Sequence, residues 1–200
     1  MTVFQLLMLG VSAYFAYKIF EHVQTLQDPQ DEKNTYEPEE QKSADAFSPF
    51  SPEALVEKAD TAYEENDFQK ALALLTEADA KDPKNSEILF KTGFILQKSG
   101  DNDEALKRYK EALEVDKDNE FIHNSMASIY RENGEFSSAK LHLQASLEID
   151  DKNPVTYFNY GNLLVDMGHK DEAISMYEKV LEINPDIEEA KEEIDRLKGE

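Results

Sequence analysis

The chain contains no cysteine and has few basic residues. Among its 200 residues, 21 are Lys or Arg and 43 are Asp or Glu, so the formal net charge is -22. The absence of Cys excludes disulfides, thiolate chemistry and Cys-based zinc sites. The shortage of cations argues against DNA or RNA as a partner, because phosphate contacts need clustered Lys and Arg and an acidic surface repels the phosphate backbone. A neutral or basic protein partner fits this charge better.

The sequence also lacks the common catalytic and metal-binding motifs. HExxH, GxSxG and GxxxxGK[ST] are all absent. The four histidines do not form a predicted ligand set; they are His22, His123, His142 and His169. The acidic runs at 101–104 and 116–120 lack the Gly and the final Glu of a calcium-binding EF-hand loop, and are better explained as helix starts. The sequence therefore predicts no enzyme, no cofactor, no metal site and no small-molecule substrate.

Small residues recur along the chain at one fixed spacing. The members of one series lie 34 residues apart and are Ala59, Gly93, Ala127 and Gly161. A second series has the same spacing and consists of Ala71, Ala105, Ala139 and Ala173. A fixed period of 20 to 50 residues is typical of repeat architectures, in which each unit stacks on its neighbours. The chain is therefore predicted to be an array of similar units, beginning near residue 51.

Residues 154–185 form one complete unit of this repeat. A first apolar stripe has the spacing of three and four that is typical of an amphipathic helix, and it consists of Tyr157, Tyr160, Leu164 and Met167. Gly168 interrupts this pattern, and a second stripe follows within 170–183. Two antiparallel helices are predicted, with Gly161 and Ala173 allowing their backbones to approach closely. Such a hairpin cannot bury its apolar stripe alone and must stack on others.

The repeat resembles the tetratricopeptide repeat (TPR) family, which has the same period. The matching signature reads Tyr157-x-x-Tyr160-Gly161-x-x-Leu164, then Ala173-x-x-x-Tyr177, then Pro185. The resemblance implies an all-α fold, a right-handed superhelical array of helix hairpins in a domain at 51–200. Four repeats and a C-terminal capping helix are expected, at about 52–85, 86–119, 120–153, 154–187 and 187–198.

Residues 1–24 are predicted to be a transmembrane anchor. The apolar run at 3–20 would be about 27 Å long as a helix, close to the roughly 30 Å of a bilayer core. A cleaved signal peptide and a buried amphipathic helix are alternatives, but no basic residue precedes the run and its small residues are misspaced for cleavage. Lys18 lies at the C-terminal end of the run and Lys33 lies beyond it, which favours a single-pass protein whose array faces the cytosol.

Residues 25–50 are predicted to be an acidic flexible linker. The stretch from 28 to 50 contains three prolines and many acidic residues, a composition typical of flexible tethers. Phe47 and Phe50 are the exceptions. They either pack on the exposed end of the first repeat or act as a self-ligand in the groove of the array.

One stripe of each first helix is not used by the predicted core, and the resemblance implies that this side lines a concave groove. Four Phe share this stripe, which is unusual for an idle surface in so acidic a chain. Candidate partner-binding residues are Phe90, Phe94, Phe121, Asn124, Ser128, Arg131, Phe158 and Asn162. The Phe rings are predicted to be apolar anchors, and the amides of Asn124 and Asn162 to meet the partner's backbone. Alternatively, some of the rings pack between adjacent first helices.

The resemblance implies a function in binding proteins. Some family members hold the C-terminal carboxylate of heat-shock chaperones with Lys, Asn and Arg, but here Val56 and Asp60 occupy slots where Lys and Asn would be expected. A protein or peptide that is neutral or basic and has apolar anchors is predicted instead. The sequence is consistent with two functions: a membrane-tethered adaptor or scaffold that binds its partner in the groove, or a structural or assembly subunit of a membrane protein complex in which the array is permanently buried.

Overall fold

The computed structural model describes Ser48 and residues 50–199, and within these residues all regular secondary structure is helical. The helices are α1 (Pro52–Glu64), α2 (Phe68–Lys81), α3 (Ser86–Lys98), α4 (Asn102–Val115), α5 (Glu120–Glu132), α6 (Phe136–Ile149), α7 (Pro154–Asp166), α8 (Lys170–Ile183) and α9 (Glu188–Gly199). The predicted anchor at 1–24, Phe47 and nearly all of the linker lie outside the described residues. In the described part of the chain, no helix combines the length and apolar character that crossing a membrane requires.

The helices pair in sequence order into four hairpins, α1 with α2, α3 with α4, α5 with α6, and α7 with α8. The ninth helix, α9, packs on α8. Consecutive hairpins are stacked, since α2 contacts α3, α4 contacts α5, and α6 contacts α7. The prediction of an all-α helical repeat array is confirmed.

Polar side chains at the loop ends start most of these helices. Ser51 Oγ accepts a hydrogen bond from the amide of Ala54 at 3.2 Å, one turn into α1, which satisfies an amide that has no partner inside the helix. The two acidic runs have the same role. Asp101 caps α4 and Asn119 caps α5 through their side-chain oxygens. The interpretation of these runs as helix starts is confirmed.

The turn inside each hairpin requires a left-handed backbone conformation. Gly100, Gly134 and Gly168 have φ values of 89°, 76° and 78°, and Asn66 takes the equivalent place in the first hairpin with φ 60°. Glycine adopts this conformation without steric cost, and Asn is among the few other residues that tolerate it. The four turns are therefore alike although only three contain glycine.

The core is continuous between hairpins. One buried cluster combines Leu89, Tyr109, Ile122 and Met126, which come from α3, α4 and α5 in the second and third hairpins. Each hairpin thus buries its apolar stripe against the next, as an array of stacked repeats requires.

Candidate functional site

The first helices of neighbouring hairpins lie side by side. α5 contacts both α3 and α7, and two ion pairs also join neighbouring hairpins. Lys91 Nζ on α3 donates to both carboxylate oxygens of Asp60 on α1 at 2.8 and 2.7 Å, and Arg131 Nη1 on α5 donates to Asp166 Oδ2 on α7 at 2.7 Å. This arrangement creates a surface that we call the first-helix face, formed by the outward stripe of each first helix. Its residues are Glu53, Val56, Asp60 and Tyr63 on α1, Glu87, Phe90, Phe94 and Gln97 on α3, Phe121, Asn124, Ser128 and Arg131 on α5, and Val155, Phe158, Asn162 and Val165 on α7.

Three of the four Phe on the first-helix face are half-buried, and their rings pack on tyrosines. The ring centroids are 5.9 Å apart for Phe90 and Tyr109, 5.4 Å for Phe94 and Tyr63, and 5.4 Å for Phe158 and Tyr177. Phe94 packs between adjacent first helices, as the alternative stated above predicts, because Tyr63 lies on α1. Phe90 and Phe158 instead pack on the second helix of their own hairpin. All three rings contribute to the stability of the array as well as to the floor of the first-helix face.

The fourth ring, Phe121, is 55% exposed at the start of α5, and Val155 is also 55% exposed at the start of α7. The two residues are 34 positions apart in the sequence, so they occupy equivalent places on adjacent first helices. Exposed apolar side chains in register on touching helices can bind the apolar groups of a partner. Val155 lies on the first-helix face but is not among the binding residues predicted from the sequence.

Asn124 is not available to a partner. Its side chain is 6% exposed, and its Nδ2 donates to Ser146 Oγ at 2.8 Å and to Thr156 Oγ1 at 2.6 Å. Its Oδ1 accepts a hydrogen bond from Asn159 Nδ2 at 3.1 Å. The prediction that this amide meets a partner's backbone is wrong, because the amide instead joins α5 to α6 and α7. A buried amide needs such partners to offset its loss of hydration.

The remaining predicted binding residues are half-buried and make internal contacts at the edge of the first-helix face. Asn162 Oδ1 accepts a hydrogen bond from the Tyr177 hydroxyl at 2.7 Å. Burial raises the pKa of Tyr177 to about 12, so the hydroxyl stays protonated as the donor. Ser128 Oγ donates to Glu132 Oε1 at 3.4 Å, while Arg131 is held by Asp166. The Asn162 bond thus joins α7 to α8 and the Arg131 ion pair joins α5 to α7, whereas the Ser128 bond lies within α5.

An acidic cavity of about 200 Å³ opens between α1 and α3. Its lining residues are Pro52, Glu53, Val56, Glu57, Asp60, Asn85, Glu87 and Ile88. Lys91 is the cation beside it, 2.7 Å from Asp60 and 3.7 Å from Glu87. Four carboxylates against one ammonium leave this end of the first-helix face negative, above an apolar floor that includes Val56 and Ile88.

Family models for the tetratricopeptide repeat match residues 62–129, 122–153 and 155–187, which together span more than half of the chain. The chain belongs to the tetratricopeptide repeat family. Proteins of this family generally use the repeat fold for protein interaction. The first-helix face is one surface of the TPR array of this chain. No curated protein sequence matches the chain significantly.

Solved structures share the TPR fold with this chain. A crystal structure of MamA is 23% identical, with 73% of this chain and 80% of that chain covered and a TM-score of 0.63. The first TPR of Spaghetti (RPAP3), bound to the HSP90 peptide SRMEEVD, is 24% identical, with 57% and 93% covered and a TM-score of 0.55. YrrB, described as a TPR protein with an unusual peptide-binding site, is 19% identical, with 78% and 80% covered and a TM-score of 0.60. At these identities the likeness concerns the fold alone.

Sequence reasoning missed that two histidines of the TPR array meet. Nδ1 of His123 lies 2.9 Å from Nδ1 of His142. The signal was present in the repeat pattern, because both residues belong to the third repeat and occupy places where the other repeats mainly carry large apolar side chains. Among the described residues, no group of three or more His, Asp or Glu side chains is arranged to hold a metal ion.

Proposed function

We propose that the protein is an adaptor or scaffold whose first-helix face binds a segment of a partner protein. The observation that carries this proposal is the pair of exposed apolar side chains, Phe121 and Val155, in register on two touching helices. Apolar anchors of this kind often dominate the free energy of binding at protein interfaces. Membership of a family built for protein interaction gives independent support.

The partner segment is proposed to be neutral or basic. The carboxylates that line the cavity between α1 and α3 offer ion pairs to a Lys or Arg, and the apolar floor accommodates the stem of such a side chain. An acidic C-terminal peptide such as SRMEEVD fits poorly here, since Asp60 lies where such a peptide would need a cationic or amide group. Charge complementarity of this type chiefly governs specificity and the rate of association.

We also propose that residues 1–24 tether the array to a membrane, with the array facing the cytosol. The support is the apolar run at 3–20, with Lys18 at its C-terminal end and Lys33 beyond it. A tether of about 25 residues of coil would allow the array to reach a partner roughly 25 to 30 Å from the membrane.

The binding proposal can be tested with a display library of random 12-residue peptides selected on the full chain in mild detergent. We expect the selected peptides to carry net positive charge and at least one large apolar side chain. Their affinity should fall by about tenfold or more for Phe121→Ser combined with Val155→Ser, since losing hot-spot contacts costs about 2 kcal/mol or more.

Leu141→Ser is the matched control, because Leu141 is 65% exposed on α6, a second helix outside the first-helix face. This variant should bind the selected peptides like the wild-type chain. Equal losses for Leu141→Ser and for the double variant would contradict the proposed site. Selection of predominantly acidic peptides would contradict the proposed partner chemistry while leaving the site intact.

A further inference from the structure

The third hairpin differs from the others in carrying a histidine on each of its two helices at inward-facing places. His123 on α5 is equivalent to Leu55, Leu89 and Tyr157 in the other repeats. His142 on α6 is equivalent to Leu74, Arg108 and Met176. Two titratable rings thus stand where the other hairpins mainly use large apolar side chains.

The two rings meet edge to edge across the hairpin. The Nδ1 atoms are 2.9 Å apart, and the ring centroids are 5.2 Å apart. Tyr130 on α5 stacks on the other side of His142, with centroids 5.4 Å apart and an interplanar angle of 16°. A hydrogen bond between two imidazoles needs one N–H and one lone pair, so it exists only while at least one ring is neutral.

The groups around the pair disfavour added positive charge. Burial lowers the pKa of His142 to about 4, and the neighbouring His123 and Lys110 on α4 add to this effect. Burial also lowers the pKa of His123, partly offset by a hydrogen bond with the backbone of Lys117 in the loop before α5. Tyr130 contributes an apolar ring face and no countercharge. At neutral pH both rings are therefore neutral and one donates to the other.

We propose that the His123–His142 contact is an acid-sensitive latch that holds α5 against α6 and releases the third hairpin when the rings become protonated. Both pKa values are lower in the folded state than in the unfolded chain, so the unfolded state binds more protons. Stability from the latch is therefore complete above about pH 6.5, the ordinary histidine pKa. It is lost progressively as the pH falls from there toward the folded-state pKa values.

The latch has a consequence for the first-helix face. α5 carries Phe121 two positions before His123 and also provides Asn124, which links it to α6 and α7. Loosening the third hairpin would therefore disturb the centre of that face and weaken partner binding at acidic pH. This consequence rests on the proposed function, whereas the latch itself does not.

The test is denaturant unfolding of the full chain in mild detergent at pH 7.5, 6.5 and 5.5. The variant is His123→Leu combined with His142→Met, which installs side chains found at the equivalent places Leu89 and Met176. For the wild-type chain, the folding equilibrium constant should fall by up to about tenfold per pH unit for each proton taken up on unfolding. The double variant should lose this part of the pH dependence.

The control is His169→Gln, which removes an exposed histidine at the start of α8 and should keep the wild-type pH dependence. Keeping the pH at 5.5 or higher limits interference from the many carboxylates, whose ordinary pKa is near 4. Equal pH dependence in the wild-type chain and the double variant would overturn the proposal.

A second measurement applies even if the double variant fails to fold. Histidine ring resonances of the isotopically labelled wild-type chain can be titrated by NMR and assigned with single His variants. We expect the His123 and His142 signals to titrate below pH 6.5, and to change together because the rings share a hydrogen bond. Independent midpoints near pH 6.5 for both would overturn the latch.

Discussion

Gly161 on α7 lies directly beneath the ring of Tyr177 on α8, so that a Cβ atom added to Gly161 would be 2.6 Å from Tyr177 Cε1. Gly93 and Tyr109 repeat this relationship in the second hairpin at 2.7 Å. The other two hairpins use a different pair at the same places, namely Ala59 with Leu75 and Ala127 with Leu143. A larger residue on the first helix thus accompanies a smaller one on the second, which keeps the volume between the helices filled.

This relationship predicts that Gly161→Ala destabilises the array, although Ala has the higher helix propensity. The new methyl group would collide with a fully buried ring, and such overpacking costs about 1–3 kcal/mol in the free energy of unfolding. The double variant Gly161→Ala with Tyr177→Leu should lose less free energy of unfolding than the two single variants lose together, since it reproduces the Ala–Leu pair of the third hairpin. Denaturant midpoints of the four proteins measure this coupling.

The control for this cycle is Ser175→Ala on the exposed side of α8, where we expect a change within about 0.5 kcal/mol. Strictly additive effects of Gly161→Ala and Tyr177→Leu would show that the two residues do not share one packing site.

The fold could be predicted because its determinants are local and repeated. The spacing of apolar residues predicts the helices. Residues such as Asp101, which caps a helix, and Gly168, which forms a turn, mark where helices begin and end. The period of 34 residues predicts that the hairpins stack. Each of these signals occurs several times in the chain, so a degenerate repeat is recognised from its neighbours.

The exposure of the binding residues could not be predicted in the same way. Periodicity gives the direction in which a side chain leaves its helix, but its burial depends on residues that are distant in sequence. Phe94 is covered by Tyr63 of the preceding hairpin, and the partners of Asn124 come from α6 and α7. A polar residue on the non-core side of a first helix, such as Asn124, can thus be buried when small polar side chains of neighbouring helices form hydrogen bonds with it.

The buried network makes Asn124→Ala a test of the assigned role. The substitution would remove the hydrogen bonds of this amide with Ser146, Thr156 and Asn159, and each such bond contributes about 0.5–1.5 kcal/mol. Ser146 and Thr156 would keep their mutual contact at 3.0 Å. We expect a lower free energy of unfolding, measured by denaturant titration. Gln144→Ala, on an exposed position of α6, should change it by less than about 0.5 kcal/mol. A variant that unfolds like the wild-type chain but loses peptide affinity would return Asn124 to the binding surface.

The half-buried and the exposed Phe rings of the first-helix face should differ in how much they contribute to stability. Phe94→Ala removes a ring that contacts Tyr63 and the first core cluster, so we expect a loss of about 2 kcal/mol in stability and a lower melting temperature. Phe121→Ala removes a ring that is 55% exposed, and its effect on stability should stay within about 0.5 kcal/mol. Thermal unfolding of the two variants under the same conditions gives the comparison. Equal melting temperatures would mean that the Phe94 ring is not part of the packed interior.

The membrane tether yields the last prediction, which uses the absence of cysteine from the chain. A single Cys introduced as Ser43→Cys in the linker provides one thiol and hence one labelling site. If residues 1–24 span a membrane with the array in the cytosol, this thiol should resist a membrane-impermeant maleimide in intact cells and react after permeabilisation. The protein should also remain in the membrane fraction after carbonate extraction, because a spanning helix is held by the hydrophobic effect and not by surface charge.

The Cys-free wild-type chain is the blank for this labelling, and Ser137→Cys on the exposed surface of α6 is the matched control within the array. Both thiols should behave alike, since no second span is predicted between them. Ready labelling of both in intact cells would place the array outside the cell and leave the anchor in place. Release by carbonate, or a mature protein that begins after residue 16, would instead contradict the anchor, because it would show that the apolar run is peripheral or is cleaved.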